Sequence, residues 1–133
     1  NIGVDLFSVA SVLSGVIAQR LVRRTCLHCK TEIKPPDKQL KILGLRKNRK
    51  YKGGKGCSAC FGTGYSGQIC ISELFILDAR MKQLIAQQKS AIDIMKNITK
   101  SHYFPFIEDA REKILSDITT PEEVARVFGD IVS

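Results

Sequence analysis

Apolar residues along this chain switch between helical and strand spacing, with one long central stretch that follows neither. Near the start, Leu6, Val9, Ala10 and Leu13 share one helical face. Asp5 stands where its carboxylate can cap that helix, and Gly15 where it can end it. Val16, Ile17, Leu21 and Val22 predict a strand, because β-branched residues dominate and Arg20 and Arg23 interrupt the helical stripe. Between 26 and 67 the pattern lapses. Pro35-Pro36 breaks the chain, and only Asp37–Leu45 predicts a short helix, capped by Asp37 and burying Leu40 and Leu43. The rest of that stretch reads as Gly-rich loop that needs a clamp.

Order returns at Gln68–Leu77, whose loose alternation predicts a strand. Helical stripes follow. Leu77, Met81, Leu84 and Ile85 form one, and Ser90 with Asp93 resembles a capping box ahead of Ile94, Met95 and Ile98. Ile107, Ala110, Ile114 and Leu115 form the next. The last helix has the clearest start: Thr120 as N-cap, Pro121 at the first position and Glu123 at the third, before Val124, Val127, Phe128 and Ile131. No internal repeat is visible.

Charge sharpens the central stretch. The 133 residues carry a net charge of +8. Ten basic residues between Cys26 and Cys60 face only Glu32 and Asp37, so that stretch holds the whole excess while the remainder cancels. Its basic cluster, Arg46, Lys47, Arg49, Lys50 and Lys52, is a candidate surface for an acidic partner, anionic lipid or nucleic acid. Only Tyr51 interrupts it as an aromatic, which gives base stacking little to work with. The uncharged apolar run between Asp5 and Arg20 is 14 residues and includes three serines. A spanning helix needs about 20 mostly apolar residues, so this run is a core element. The chain begins at Asn1 and runs straight into apolar sequence, and it reads as a piece of something longer.

Cysteine spacing supplies the chemistry. Cys26–Cys29 and Cys57–Cys60 are two C-x-x-C pairs, 27 residues apart. Each pair sets two sulfurs on one side of a tight turn, along one edge of a tetrahedron, and two such edges complete a Zn2+ site. Four thiolates leave no open position, so the expected ion is structural. Structural zinc in small peptides is worth about 10–16 kcal/mol, more than this loop-rich stretch can otherwise supply. Two redox dithiols are the alternative, but neither pair opens a clear helix. With no secretory signal, the arrangement fits a reducing cytosol. His28, inside the first knuckle, reads as a loop residue that hydrogen-bonds locally, with a ligand role as the alternative, and Cys70 reads as a buried inert thiol.

Other motifs fall short. Cys57 to Gly64 fits C-x-x-C-x-G-x-G, an octet shared with zinc-bearing heat-shock chaperones, but there it recurs and here it stands once. Gly53-Gly54-Lys55-Gly56 is not a P-loop: Arg49 stands where the leading glycine belongs, and Gly56 where Ser or Thr should follow Lys55. No general acid–base pair or nucleophile set is present, so no catalytic residue is assigned.

Three separated segments resemble one family, the hexameric ATPases that power type II secretion and type IV pilus assembly. Val16 to Cys26 resembles the end of their ATPase core entering the first knuckle. Cys57 to Leu74 resembles their second knuckle and returning strand, and Ile118 to Val127 their C-terminal signature. Gln68, where the family favours a basic residue, and Cys70, where a small one is usual, are local departures.

The resemblance implies an α+β fold in four parts. Residues 1–25 would be the C-terminal edge of a RecA-like ATPase core and 26–67 a small tetracysteine zinc module. Residues 68–77 would be a strand returning to the core, and 78–133 an α-helical C-terminal region. It implies a homohexameric parent that uses ATP and Mg2+, cytoplasmic and peripheral to the inner membrane, with platform proteins as partners. The Walker segments lie upstream in the family, so no hydrolysis is expected of this stretch. Arg20 and Arg23 are expected to pair structurally at the sheet, with a neighbouring subunit's nucleotide as the alternative. A stand-alone nucleic-acid-binding zinc ribbon, or a zinc staple with no partner surface, are the competing functions.

Overall fold

A computed structural model describes residues 3, 5–99 and 102–132, with the side chains of 130–132 excepted. The fold is α+β. In chain order it runs α1 (Leu6–Val12), β1 (Gly15–Thr25), β2 (Lys30–Ile33), α2 (Asp37–Ile42), β3 (Tyr51–Gly54), a 3-10 turn (Ser58–Cys60) and β4 (Tyr65–Ile76). Then come α3 (Ala79–Ala86), α4 (Ala91–Lys96), β5 (Tyr103–Phe104), α5 (Phe106–Leu115) and α6 (Pro121–Val132). One sheet has the order β1-β4-β5, and a second is the β2-β3 pair. Two compact units result, and β1 and β4 each contribute to both.

The first unit contains residues 1–18 and 72–105. Asp5 caps α1 as expected, accepting the Ser8 N–H at 2.9 Å. α1 packs on α3 and buries Ala10 and Met81. Gly15 does not end α1. It opens β1, where a Cβ would stand 2.9 Å from the Phe75 carbonyl oxygen, so the residue is set by strand approach. Ser90 accepts the Asp93 N–H at 3.2 Å and starts α4, but Met95 of the expected stripe is exposed. β5, which no pattern predicted, pairs antiparallel with β4 through Leu74–Phe104 and Phe75–Tyr103. Two residues carry too little periodicity to read.

The second unit contains residues 19–71 and 106–133. Its core gathers Val22, Leu40, Leu43, Tyr51, Ile71, Ala110, Ile114, Val124 and Phe128. Phe106 stacks on Phe128 with ring centroids 4.6 Å apart. Ile131, expected on the same stripe, lies outside the described side chains. α2 forms where expected and buries Leu40 and Leu43, yet Pro36 rather than Asp37 is its N-cap. Asp37 instead pairs with Lys47 at 2.6 Å.

The central stretch is more ordered than its sequence suggests. β2 and β3 pair antiparallel, Lys30 opposite Gly54 and Ile33 opposite Tyr51. Tyr51 is 2% exposed and donates its hydroxyl to the Arg46 carbonyl at 2.7 Å. The apolar signal here is one residue on each of two short paired strands, Ile33 and Tyr51, which period counting misses. Gly53-Gly54, part of the stretch expected to be Gly-rich loop, lies within β3. A Cβ on Gly54 would come 2.0 Å from the Gly64 carbonyl oxygen, so the pair of glycines lets β3 touch the loop before β4.

The α6 start differs in one instructive way. Thr120 Oγ1 accepts the Glu123 N–H at 3.2 Å, as an N-cap should. Glu123 does not complete a reciprocal box. Its carboxylate turns to β1, accepting the Arg23 backbone N–H at 2.9 Å and the Arg23 guanidinium at 2.6 and 3.0 Å, and it also takes Arg126.

Candidate metal centre

Backbone pairing delivers the four cysteines to one point. β1 ends at Thr25, whose N–H donates to the Ile118 carbonyl at 2.8 Å, and Cys26 follows, donating to the Gly64 carbonyl at 2.9 Å. Antiparallel pairing of β2 with β3 brings the far end of the hairpin back, so that the Lys55 N–H meets the Cys29 carbonyl at 3.1 Å. The 27 residues between the knuckles are thus spanned by β2, α2 and β3, and Cys57 arrives two residues later.

The sulfurs fit a tetrahedron. A metal–sulfur distance of about 2.3 Å requires tetrahedral edges of about 3.8 Å. The Sγ atoms of Cys26 and Cys57 are 3.9 Å apart, those of Cys29 and Cys60 3.8 Å, and those of Cys57 and Cys60 3.7 Å. All four lie within 4.8 Å of one another, and this is the group that can hold a metal ion among the described residues. Cys26, Cys29 and Cys60 are buried and Cys57 is half-buried. His28 is exposed and stands outside the cluster.

Amide N–H groups aim at the sulfurs. Cys57 and Gly64 each donate to Cys60 Sγ at 3.2 Å. Gly64 has φ +77°, which a residue with Cβ rarely adopts, and a Cβ there would come 2.2 Å from the Gly54 carbonyl oxygen. Burial pushes the Cys29 thiol up to about 12, against the Gly56 N–H. Burial also pulls upward at Cys60, but the Cys57 and Gly64 N–H groups outweigh it and bring that thiol down to about 6. Crowded sulfurs of unequal proton affinity, met by several N–H donors, are the environment in which a divalent cation replaces protons.

Phe61 follows the last cysteine in the left-handed region, φ 51° and ψ 38°, with its ring 94% exposed. Cys70 is half-buried rather than buried, and its thiol donates to Gln19 Oε1 at 3.2 Å. It lies outside the tetrahedron.

Arg46, Lys47, Arg49, Lys50 and Lys52 are all exposed, but much of their charge is spoken for. Lys47 pairs with Asp37 at 2.6 Å, Lys50 with Glu32 at 3.0 Å and Lys52 with Asp117 at 3.2 Å. Arg49 donates to the Leu115 carbonyl at 2.9 Å, and Lys30 to the Asp117 carbonyl at 2.7 Å. Lys30, Arg49 and Lys52 thus gather at and just beyond the C-terminal end of α5, where the helix dipole favours positive charge. Sequence reasoning missed this fastening because its acceptors are backbone carbonyls some 66 and 87 residues away. Arg20 donates to the Val127 carbonyl at 3.0 Å and lies over the Phe128 ring, and Arg23 lies over the Tyr65 ring.

No helix among the described residues is long and apolar enough to cross a membrane. A family described as "Type II/IV secretion system protein" matches residues 1–126. A type IV pilus assembly ATPase PilB of Thermus thermophilus is 42% identical over 129 residues, covering 93% of this chain and 14% of the relative. The type II secretion system protein HxcR of Pseudomonas aeruginosa is 37% identical over 130 residues, 98% of this chain and 24% of the relative. Type II secretion system protein E of the same organism is 34% identical over 130 residues, 96% and 26%. The chain therefore spans 14–26% of the length of these relatives. With a match over nearly all its residues, this chain belongs to the type II/IV secretion system protein family.

Proposed function

We propose that this chain is the zinc-binding C-terminal portion of a hexameric ATPase that powers protein secretion or type IV pilus assembly. Its own work is docking to inner-membrane platform proteins, not catalysis. The observation that carries the reading is a four-sulfur tetrahedron inside a chain that matches the family over residues 1–126, yet spans only 14–26% of relatives named as ATPases or secretion proteins.

Cys26, Cys29, Cys57 and Cys60 hold one Zn2+, which supplies rigidity because four thiolates fill its coordination. The chain's own contribution is to present those sulfurs: β1 sets Cys26, the β2-β3 pairing sets Cys29, and Gly64 directs its N–H at Cys60. Residues 1–25 are the end of a RecA-like core, 26–67 the zinc module, 68–77 the returning strand and 78–133 the helical region. ATP and Mg2+ act in the parent protein. The parent is cytoplasmic and peripheral to the inner membrane, and the module's exposed basic residues face platform proteins, with anionic head groups as a secondary contact. Burial of Tyr51 argues against a nucleic-acid-binding ribbon, because it removes the one interleaved aromatic from a stacking role.

Two measurements test this. Elemental analysis of protein purified without added zinc should find about one zinc per chain, lost together with the module's structure on chelation. In the full-length protein, Lys47→Glu with Lys50→Glu should cut recruitment to platform proteins and secretion or piliation while leaving zinc content unchanged. Arg49 is left in place because it holds the end of α5. A folded, metal-free protein with free thiols would sink the zinc reading, and unaltered recruitment would sink docking.

A further inference from the structure

We infer that the zinc module carries a peptide-binding cleft for an acidic segment with an apolar anchor. This deepens the docking reading and rests on it. The cleft has a volume of about 330 Å3, within the range of ligand sites. It opens between the end of β2, the start of α2 and the residues entering β3. Its accessible apolar lining is half-buried Ile33 and Pro35, backed from below by the buried Leu40 and Tyr51. Charged residues line it too: Lys34, Lys47, Arg49 and Lys50 against Glu32 and Asp37, an excess of two positive charges.

The two acids do not lock this rim. Lys47–Asp37 leaves its side chains 61% and 70% exposed, and Lys50–Glu32 leaves 81% and 52%. Pairs so exposed contribute about 0–1 kcal/mol. An incoming carboxylate can take Lys47 or Lys50 and release Asp37 or Glu32 into water at little cost. Two further features keep the cleft's shape. Arg49 is held by the Leu115 carbonyl, and Tyr51 ties back to the Arg46 carbonyl. The surface is ready to exchange ions while its frame stays fixed.

Shape and lining select the ligand class. A flat bilayer cannot reach the lining of a concave site, and a lone inorganic anion leaves its apolar part unused. Nucleic acid would want an exposed aromatic, and Tyr51 is 2% exposed. A segment with a leucine or phenylalanine between glutamates or aspartates uses both the apolar lining and the rim.

The test uses full-length zinc-loaded protein and a fluorescent synthetic peptide with Leu-Phe flanked on each side by two glutamates. Saturable anisotropy should appear and weaken as salt rises. It should fall at least tenfold when the peptide's Leu-Phe becomes Gly-Gly, and at least tenfold in Lys47→Glu/Lys50→Glu. The charge-matched control Lys38→Glu/Lys41→Glu, outside the cleft lining, should bind within about twofold of the parent. Retained zinc content and circular dichroism confirm the fold of each variant. Equal losses in both double variants, or indifference to the apolar anchor, would overturn the cleft in favour of general charge attraction. So would stronger binding to anionic vesicles or a short single-stranded DNA that these variants weaken alike. Lost platform recruitment without peptide binding overturns the cleft and spares docking. Anchor-dependent peptide binding with unaltered recruitment supports the cleft and rejects docking.

Discussion

Glu123 accepts the backbone N–H of Arg23 at 2.9 Å and the Arg23 guanidinium at 2.6 Å, from a carboxylate whose side chain is 0% exposed. One side chain thereby joins the first turn of α6 to the strand that leads into Cys26. Arg126 meets the same carboxylate at 2.7 Å, and Tyr65, under the Arg23 guanidinium, bonds Thr120 Oγ1 at 2.7 Å. Thr119 adds a bond to the Arg23 carbonyl at 2.8 Å. The start of α6 is therefore part of the support of the cysteine cluster.

Glu123→Gln keeps the shape and removes the charge. Both arginine side chains are partly exposed, at 42% and 57%, so they return to water and the loss is moderated. The expected cost is about 2 kcal/mol, above the value of an exposed pair and below that of fully buried charges. Chemical denaturation of the zinc-loaded protein reads it. A cost near zero would mean that the carboxylate contributes packing only.

The same carboxylate sets an acid dependence. Burial raises its pKa, but the hydrogen bonds from Arg126 and Arg23 prevail and hold it at about 2, below the ordinary 4.5. A depressed folded-state pKa gives stability that is complete above about 4.5 and is lost as pH falls toward 2. The advantage of the parent over Glu123→Gln should therefore be flat between pH 7 and 5 and shrink below. Taking the difference removes acid loss of zinc common to both. An advantage that grows on acidification would reverse the assignment.

Cys60 and Cys70 separate the metal site from ordinary thiols. Cys60→Ser removes a buried sulfur of the tetrahedron, and zinc content should drop well below one per chain with loss of the hairpin's protease resistance. Cys70→Ser changes a half-buried thiol bonded to Gln19, keeps a donor there, and should cost less than about 1 kcal/mol with metal content intact. Equal zinc loss in both would contradict the four-sulfur assignment.

How much of this was legible in the sequence follows from how each feature is encoded. The cysteine pairs are local, so their spacing announces the tetrahedron before any fold is known. The α6 start was readable because Thr120, Pro121 and Glu123 are consecutive signals, although the use made of Glu123 was not. Its partner Arg23 is 100 residues away, and nothing local distinguishes a capping carboxylate from one that reaches across. The β2-β3 pair escaped notice because its strands are four residues each and Gly53-Gly54 mimic a loop. β4 begins at Tyr65, earlier than the alternation suggests, because Gly64 and Gly67 read as loop punctuation in the sequence.

Two left-handed residues in one loop predict opposite signs. Gly64, at φ +77°, faces the Gly54 carbonyl oxygen, which a Cβ would approach to 2.2 Å. Gly64→Ala combines backbone strain with a collision against backbone, and it displaces the N–H that reaches Cys60. A loss of about 3 kcal/mol or more is expected, with weaker zinc retention against a chelator. Phe61, at φ 51°, is the reverse case: its ring is 94% exposed and returns little packing for the strained backbone. Phe61→Gly relieves about 1 kcal/mol of that strain, partly offset by the extra freedom glycine gives the unfolded chain. Its melting temperature should equal or exceed the parent's, with zinc retention unchanged. A clear fall on Phe61→Gly would mean that the ring stabilises the knuckle, and a mild effect of Gly64→Ala would mean that the β3 contact yields.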